Sequence, residues 1–343
     1  MVYKRIVFVK SLLISKKLLS NIFYWSAAVF LILIAGFRTI GLDRDSLNYV
    51  TYYQSANKID LLDKEPAFWI IKFVNDILFK GDIRTFFFIF ATLGVSIKFF
   101  AIKKLSKKPW ISVIAYISLY YILHEMTQIR AGVAAGIFLL AIPDIYNKNL
   151  KNYLLKTLIA VSFHYSAIIM LPLYFFNPIN LKIIYFSLPV LGLFFALSKL
   201  SSTFLINKIV NILPEFLRYK INIYFSLLNN GIHSEINIFN IYYTSLLILL
   251  IFIFYILYIL KIKLKGFYDI IYVKILIFSL FVFYFFSFIP VFSFRISEFL
   301  DVVLIFLIPN LYLYFKQKKI ILSFIVSYFF ILFNYYLKTL LNI

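Results

Sequence analysis

The amino-acid sequence predicts an all-α polytopic membrane protein with about eleven transmembrane helices, within a range of roughly ten to twelve. Three observations support this fold class. Hydrophobic residues make up 63% of the chain and charged residues only 14%, which is too little polar surface to coat a soluble globule. The apolar runs reach about 20 residues, the length of a spanning helix. These runs are continuous and do not alternate with polar residues as the strands of a membrane barrel would.

Clusters of basic residues explain the formal net charge of +21. They lie between the apolar runs, and basic residues in this position mark the cytoplasmic loops of membrane proteins. We therefore interpret them as determinants of topology, with the N-terminus in the cytoplasm, and expect no nucleic acid as a partner. The clusters are Lys4, Arg5, Lys10, Lys16 and Lys17; Lys103, Lys104, Lys107 and Lys108; Lys148, Lys151 and Lys156; Lys261, Lys263 and Lys265; and Lys316, Lys318 and Lys319.

When every basic cluster is placed in the cytoplasm, the chain follows a consistent path within a single integral membrane domain, 1–343. The predicted spans are 21–37, 83–102, 110–125, 128–145, 152–164, 165–177, 182–199, 241–260, 269–289, 297–315 and 319–338. Residues 152–177 are long for one helix and short for two. We therefore expect two short helices with a break near His164, a form that is tolerated only where protein or water surrounds the break.

Two segments, 38–82 and 200–240, are predicted to be outer loops. In the first, Pro66 suits the first turn of a helix. Lys72 and Asp76 interrupt the apolar sequence that follows, which is typical of an interfacial or re-entrant helix. The second segment contains scattered charges and is expected to be a loop with amphipathic helices.

The acidic residues fall mostly on the predicted outer side, and only Asp144 and Asp269 are expected inside. Acidic residues contribute little to membrane orientation, so either repulsion from the anionic cytoplasmic leaflet or a polar site on the outer face would explain this bias. The chain has no cysteine and three histidines, which excludes thiolate catalysis and disulfides and argues against a zinc site. We expect neither a metal nor a cofactor.

The first candidate site lies immediately beyond the first span and contains Arg38, Asp43, Arg44, Asp45 and Tyr49. Arginine guanidinium groups match phosphate oxygens, which favours a phosphate-binding role. The alternative is a solvated loop in which Arg38 extends to the lipid headgroups.

A second candidate site, at the outer turn between two spans, contains His124, Glu125, Gln128 and Arg130. Gly132 and Gly136 form a G-x-x-x-G pair in the helix that Arg130 begins, and close packing at this pair would direct the arginine into the bundle. Charged residues inside a membrane bundle are functional candidates.

Two further candidates are His164, at the predicted helix break, and Arg295, which precedes the tenth span. A lone histidine in apolar surroundings is either a structural residue or a catalyst. Arg295 and Glu298 could form only an i,i+3 pair on a helix surface. Together with the arginines described above, however, these residues reach one membrane face from four regions of the chain, so a lipid pyrophosphate is a natural ligand.

The motifs resemble those of the EpsG-type, Wzy-like polymerases of bacterial surface polysaccharides such as O-antigen or capsule. The resemblance lies in F-R-x-x-G-x-D at 37–43 leading to Tyr49, E-P-x-F at 65–68, I-R-x-G-x-A at 129–134, F-H-Y-S-A at 163–167 and Arg295. The order and spacing of these motifs cover most of the chain. The family often has a glutamine after the helix-start arginine, whereas this chain has Ala131, so that polar contact would come from elsewhere, such as Gln128.

The resemblance implies a GT-C-like helical bundle in the bacterial inner (cytoplasmic) membrane. It implies a glycosyltransferase that joins oligosaccharide repeat units carried on undecaprenyl pyrophosphate, at the outer face and without nucleotide sugar or metal. Membrane lipid and a chain-length regulator are further implied partners. The general base would be His164, with Asp45 and Glu65 as alternatives, and the sequence does not choose among them.

Two other functions fit a polytopic chain with intramembrane charges. A flippase or permease for lipid-linked oligosaccharides would line a polar path, but the chain lacks the repeat halves typical of transporters. A membrane O-acyltransferase would use a histidine base, but it would give the outer arginines no clear purpose.

Overall fold

The computed structural model describes residues 2–55, 64–198, 218, 226, 236–264 and 266–341, with residues 2–17 described by their backbone alone. Within these ranges the chain is helical and contains no β-strand. The helices are α1 Val2–Gly36, α2 Ser46–Gln54, α3 Pro66–Phe79, α4 Ile83–Leu105, α5 Pro109–Tyr116 with its π-helical continuation Ile117–Thr127, α6 Ile129–Tyr146, α7 Leu150–Phe163, α8 Met170–Leu173 after the 3₁₀ turn Tyr165–Ile169, α9 Ser187–Ser198 after the 3₁₀ turn Ile183–Phe186, α10 Ile241–Phe254 with its π-helical continuation Tyr255–Ile259, α11 Asp269–Phe285, α12 Pro290–Asp301, α13 Leu304–Leu311 and α14 Lys318–Leu340.

Five helical segments are long and apolar enough to cross a membrane, judged by length and composition. They are Leu18–Gly36, Ile83–Leu105, Ile129–Tyr146, Ile241–Ile259 and Lys318–Leu340, and two shorter apolar segments are Ile183–Ser198 and Leu304–Tyr314. The all-helical, multi-pass class predicted from the sequence agrees with this architecture. The predicted number of eleven spans is not confirmed.

The helix ends meet at two opposite faces of the bundle. At one, the Tyr146 and Tyr268 ring centroids lie 5.4 Å apart, and the Tyr258 hydroxyl donates to the carbonyl of Leu181 over 2.8 Å. We call this the lysine face, because the basic clusters at 103–108, 148–151, 261–263 and 316–319 lie there. At the other, the site face, the amide of Arg44 donates to the carbonyl of Leu340 over 3.3 Å. The structure thus separates the basic clusters from the predicted outer residues.

The predicted break near His164 is confirmed. The backbone of His164 is extended, with φ −153° and ψ 118°, and it ends α7. The chain then runs back beside α7, since the Tyr153 hydroxyl donates to the carbonyl of Met170 over 2.6 Å and the Tyr174 hydroxyl donates to the carbonyl of Lys148 over 2.8 Å. The two short segments α7 and α8 therefore form a hairpin that begins and ends at the lysine face and has His164 at its tip.

The predicted close packing at Gly132 and Gly136 is also present. A Cβ atom at Gly136 would lie 2.8 Å from Cγ2 of Ile97 on α4, and one at Gly132 would overlap the backbone carbonyl of His124. At Gly132 the neighbour is backbone, so only glycine allows this approach, whereas at Gly136 the neighbour is the Ile97 side chain. The contact fixes the start of α6, and with it Arg130, against the end of the π-helical segment.

The first segment that is predicted to be outer contains α2 and α3, and α3 begins at Pro66 as the sequence predicts. Phe68 and Asn75 are buried against the bundle, whereas large apolar side chains cover the opposite side of the helix. The exposed residues are Ile70, Phe73, Ile77 and Leu78. An exposed apolar face is a feature of interfacial helices, and the interfacial position of α3 stays a prediction. The second predicted outer loop, 200–240, lies almost wholly outside the described residues.

We expect the lysine face to be cytoplasmic, because basic loops are retained there. The chain has no native cysteine, so single cysteines can be introduced at two exposed positions, Thr51→Cys on the site face and Asn147→Cys on the lysine face. In intact spheroplasts an impermeant maleimide should label only Thr51→Cys, and permeabilisation should add Asn147→Cys. Strong labelling of Asn147→Cys in intact spheroplasts would show that the lysine face is external and would contradict the predicted orientation.

Candidate active site

Arg38 anchors the loop that follows α1 to the rest of the bundle. Its side chain is 1% exposed, and its Nε donates to Oδ2 of Asp43 over 2.8 Å. Its Nη1 donates to the carbonyl of Ala35 and its Nη2 to that of Met126, both over 2.6 Å. The guanidinium also lies 4.3 Å from the ring centroid of Phe87. These contacts join the loop to the end of the π-helical segment.

Asp43 completes the same anchor. Besides Arg38, it accepts hydrogen bonds at Oδ1 from the amides of Asp45 over 3.1 Å and Ser46 over 2.9 Å. A carboxylate that binds the first amides of a helix satisfies donors that would otherwise lack partners. Asp43 therefore starts α2 and sets the direction of Tyr49, whereas Arg44 in the same loop is exposed.

The centre of the site is the ion pair between Glu65 and Arg130. Nη1 of Arg130 donates to Oε2 of Glu65, and the side chains are 14% and 2% exposed. The Arg130 guanidinium carbon lies 5.6 Å from the ring centroid of Tyr49, whose hydroxyl is 3.5 Å from Nε. This contact joins residues that are 65 positions apart in the sequence and brings the E-P-x-F and I-R-x-G-x-A motifs together.

His164 and Tyr165 contact the other oxygen of Glu65. Nδ1 of His164 lies 3.3 Å from Oε1, and the amide of Tyr165 donates to the same oxygen over 3.3 Å. The extended backbone at the α7–α8 break places these groups at the tip of the hairpin. Glu65 thus holds a guanidinium with one oxygen and an imidazole with the other.

Gln128 and Glu298 link this centre to α12. Nε2 of Gln128 donates to Oε2 of Glu298 over 3.0 Å. Arg295 lies one turn before Glu298 and close enough to act electrostatically on it. The Arg295 side chain is exposed at the site face.

Asp45 faces the arginines from the loop. Burial raises the pKa of its carboxyl, and Arg295 opposes this rise most strongly. Asp43 raises the pKa further, while a hydrogen bond from Asn48 and the charge of Arg130 lower it. Asp45 is therefore a half-buried carboxyl between two cations, with a higher affinity for protons than an ordinary aspartate.

The predicted site residues thus divide into three groups. Glu65, Arg130, His164 and Tyr49 form the centre; Asp45, Gln128 and Arg295 surround it; and Arg38 and Asp43 build the loop, with Arg44 exposed beside them. Among the described residues, no group of three or more histidine, cysteine, aspartate or glutamate side chains is placed to hold a metal ion.

A buried ion pair between Lys98 on α4 and Glu125 was not predicted. Nζ of Lys98 lies 2.5 Å from Oε1 of Glu125 and donates to the carbonyl of Gly132 over 2.6 Å. The Tyr116 hydroxyl donates to the same carboxylate oxygen over 2.9 Å. Gly94 makes room for the pair, because a Cβ atom there would overlap Oε2 of Glu125. The sequence signal was a single lysine within an apolar span, which marks a functional or structural centre in membrane proteins.

Several helices that are long and apolar enough to span a membrane, together with a partly buried cluster of charges at one end, define a multi-pass membrane protein with a polar site at its surface. The chain belongs to the EpsG family, whose model matches residues 21–343, nearly the whole chain. EpsG is a Wzy-like, polysaccharide polymerase-type family, so the resemblance noted in the sequence is confirmed. No curated protein and no solved structure matches the chain.

Proposed function

We propose that this protein joins undecaprenyl-pyrophosphate-linked oligosaccharide repeat units into a surface polysaccharide at the outer face of the bacterial cytoplasmic membrane. Membership of a polysaccharide polymerase-type family supports the reaction class. The observation that supports the chemistry is Glu65, which holds the Arg130 guanidinium and the His164 imidazole in one cluster. A cation and a base side by side are what a glycosyl transfer with an anionic leaving group requires.

In the proposed reaction the acceptor hydroxyl of one repeat unit attacks the anomeric carbon of the growing chain. The new glycosidic C–O bond forms while the bond to the pyrophosphate oxygen breaks, and that oxygen leaves with the electron pair. His164 accepts the hydroxyl proton, and Asp45 is the alternative acceptor. No metal, nucleotide sugar or ATP takes part.

The arginines have separate tasks in this proposal. Arg130 is partly exposed, Arg295 and Arg44 are exposed, and all three can meet the departing pyrophosphate and stabilise its developing charge. Arg38 instead acts as a positioning residue, because its guanidinium is buried against Asp43 and two backbone carbonyls. Tyr49 and Gln128 orient Arg130 and Glu298, respectively.

The test of this function is chain extension by the purified protein supplied only with synthetic lipid-linked repeat units. We expect a ladder of longer products, and Arg130→Lys should slow it by about 10²-fold, because lysine keeps the charge but loses the planar fork. Arg295→Lys should also slow chain extension. Arg84→Lys, an exposed arginine at the start of α4, is the matched control and should extend chains normally.

The same question can be answered in cells. Deletion of the gene should abolish long polysaccharide and leave single lipid-linked units accumulating on the outer leaflet. If the units accumulate on the cytoplasmic leaflet, or if the purified protein moves them across vesicles without lengthening them, the protein is a flippase and the polymerase proposal is wrong.

A further inference from the structure

Three lysines converge on one turn at the lysine face, opposite the candidate active site. The turn contains residues 174–184 between α8 and α9. Nζ of Lys274, from the second turn of α11, donates to the carbonyl of Asn177 over 2.7 Å and lies 4.5 Å from the ring centroid of Tyr185. Lys274 is 1% exposed.

Lys148 reaches the same turn from the other side. Its Nζ donates to the carbonyls of Tyr174 over 2.9 Å and Phe176 over 2.8 Å. Lys182 lies exposed at the end of the turn. Lys148 and Lys182 are both close enough to Lys274 to act electrostatically on it. Three ammonium groups therefore lie at this turn.

In the described part of the chain, no carboxylate forms an ion pair with any of these three lysines. The charges that act on Lys274 come from the two other lysines. Asp144, at the end of α6, is paired with Lys156 at 2.5 Å. A buried charge is costly unless it is paired, and each ammonium group has three N–H donors. The backbone carbonyls described above accept only some of these donors, so an anion with several oxygens would balance the charge.

The surroundings of the three lysines indicate where that anion comes from. Large apolar side chains on and around the turn point away from the protein, namely Phe175 at 82%, Ile179 at 68%, Ile183 at 57% and Ile184 at 65% exposure. In a multi-pass membrane protein, an exposed apolar patch of this kind fits contact with acyl chains. A phosphate bound beside them therefore lies at headgroup depth.

We propose that Lys148, Lys182 and Lys274 bind the phosphate headgroup of an anionic membrane lipid, while the apolar residues of the turn pack against its acyl chains. Basic pockets between transmembrane helices on the cytoplasmic side bind anionic headgroups in this way. The lipid would join α6, α8, α9 and α11 at the lysine face. This site is separate from the candidate active site, so the proposal does not depend on the polymerase function.

The test measures thermal unfolding of the purified full-length protein in detergent. The additives are phosphatidylglycerol, phosphatidylcholine with the same acyl chains, and inorganic phosphate at the same concentration. We expect phosphatidylglycerol alone to raise Tm in a saturable manner, with a weaker effect at high salt. Equal stabilisation by phosphatidylcholine would contradict the site, and equal stabilisation by inorganic phosphate would indicate a soluble anion as its ligand.

Single variants test whether phosphatidylglycerol binds at these three lysines. Lys182→Gln removes an exposed charge without affecting the packed core, and it should raise the half-saturating concentration of phosphatidylglycerol about fivefold. Lys182→Arg should retain binding. Lys104→Gln, at an exposed lysine on the same face but at the end of α4, is the matched control and should behave as wild type. Unchanged lipid binding in Lys182→Gln, or an equal loss in Lys104→Gln, would overturn the proposal.

Discussion

Replacing His164 with asparagine should lower the rate of chain extension by about 10²–10⁴-fold. Asparagine retains a donor that can reach Oε1 of Glu65, which lies 3.3 Å from Nδ1 in the native protein, but it cannot accept the proton of the acceptor hydroxyl. The variant should therefore remain folded and bind its substrates. The measurement is the initial rate with purified protein and synthetic lipid-linked repeat units, together with Tm.

The role of Glu65 follows from the same geometry. The carboxylate oxygen that lies 3.3 Å from Nδ1 stabilises the imidazolium that forms after proton transfer. Glu65→Gln keeps the shape of the side chain and removes the charge that holds both His164 and Arg130. We expect it to reduce activity as strongly as the histidine variant, and the double variant to be little worse than either single one.

Ser162→Ala is the control for both variants, because Ser162 lies two residues before His164 on α7 and its hydroxyl bonds only to the carbonyl of Ile159 among the described contacts. It should extend chains at the wild-type rate. A wild-type rate in His164→Asn would rule out the imidazole as the base. Asp45 and Glu65 would then be the remaining candidates, and Asp45→Asn together with Glu65→Gln would test them.

This pairing shows what the sequence could and could not predict about the site. His164 and Glu65 were competing candidates for a single role, because sequence reasoning assigns residues to a membrane face but not to one another. The structure places them in contact across 99 positions of the chain. The break at His164 was predictable, since 152–177 has the wrong length for one helix or two, and that break brings the imidazole to Glu65.

In the loop after α1, the direction of the Arg38 side chain could not be predicted from the sequence. The sequence places Arg38 at the end of a span, where an arginine can either extend to the headgroups or turn into the bundle. Hydrophobicity gives the depth of a residue in the membrane but not the direction in which its side chain points. The carbonyl of Met126, 88 positions away, decides this direction by accepting a hydrogen bond from Arg38.

Lys98 was missed for a related reason. A single lysine does not interrupt the hydropathy of a 23-residue helix, so the predicted span 83–102 falls within the helix Ile83–Leu105, a candidate span by length and composition, and its buried charge was overlooked. Glu125 was assigned to the outer end of the third span. The π-helical segment Ile117–Thr127 brings it instead into contact with Lys98 inside the bundle.

The second prediction with a large expected effect concerns the buried ion pair between Lys98 and Glu125. Lys98→Met should destabilise the protein by about 3–5 kcal/mol, because it leaves the Glu125 carboxylate buried without its cation. Both side chains are at most 1% exposed, so water cannot replace the lost partner. The yield of monodisperse protein after extraction and its Tm should both fall sharply. Lys72→Met is the matched control, because it breaks an i,i+4 pair with the 40%-exposed Asp76 and should cost about 1 kcal/mol or less.

A double variant separates the charge from the packing. Lys98→Met combined with Glu125→Gln removes both charges, and the glutamine can still accept the hydrogen bond from Tyr116. Because a buried ion pair can often be replaced by neutral groups at little cost, the double variant should recover most of the stability that Lys98→Met loses. If Lys98→Met is as stable as wild type, the pair contributes nothing to folding. If the double variant is the less stable of the two, the loss in Lys98→Met comes from the missing ammonium group and its bond to the carbonyl of Gly132, and not from an unpaired carboxylate.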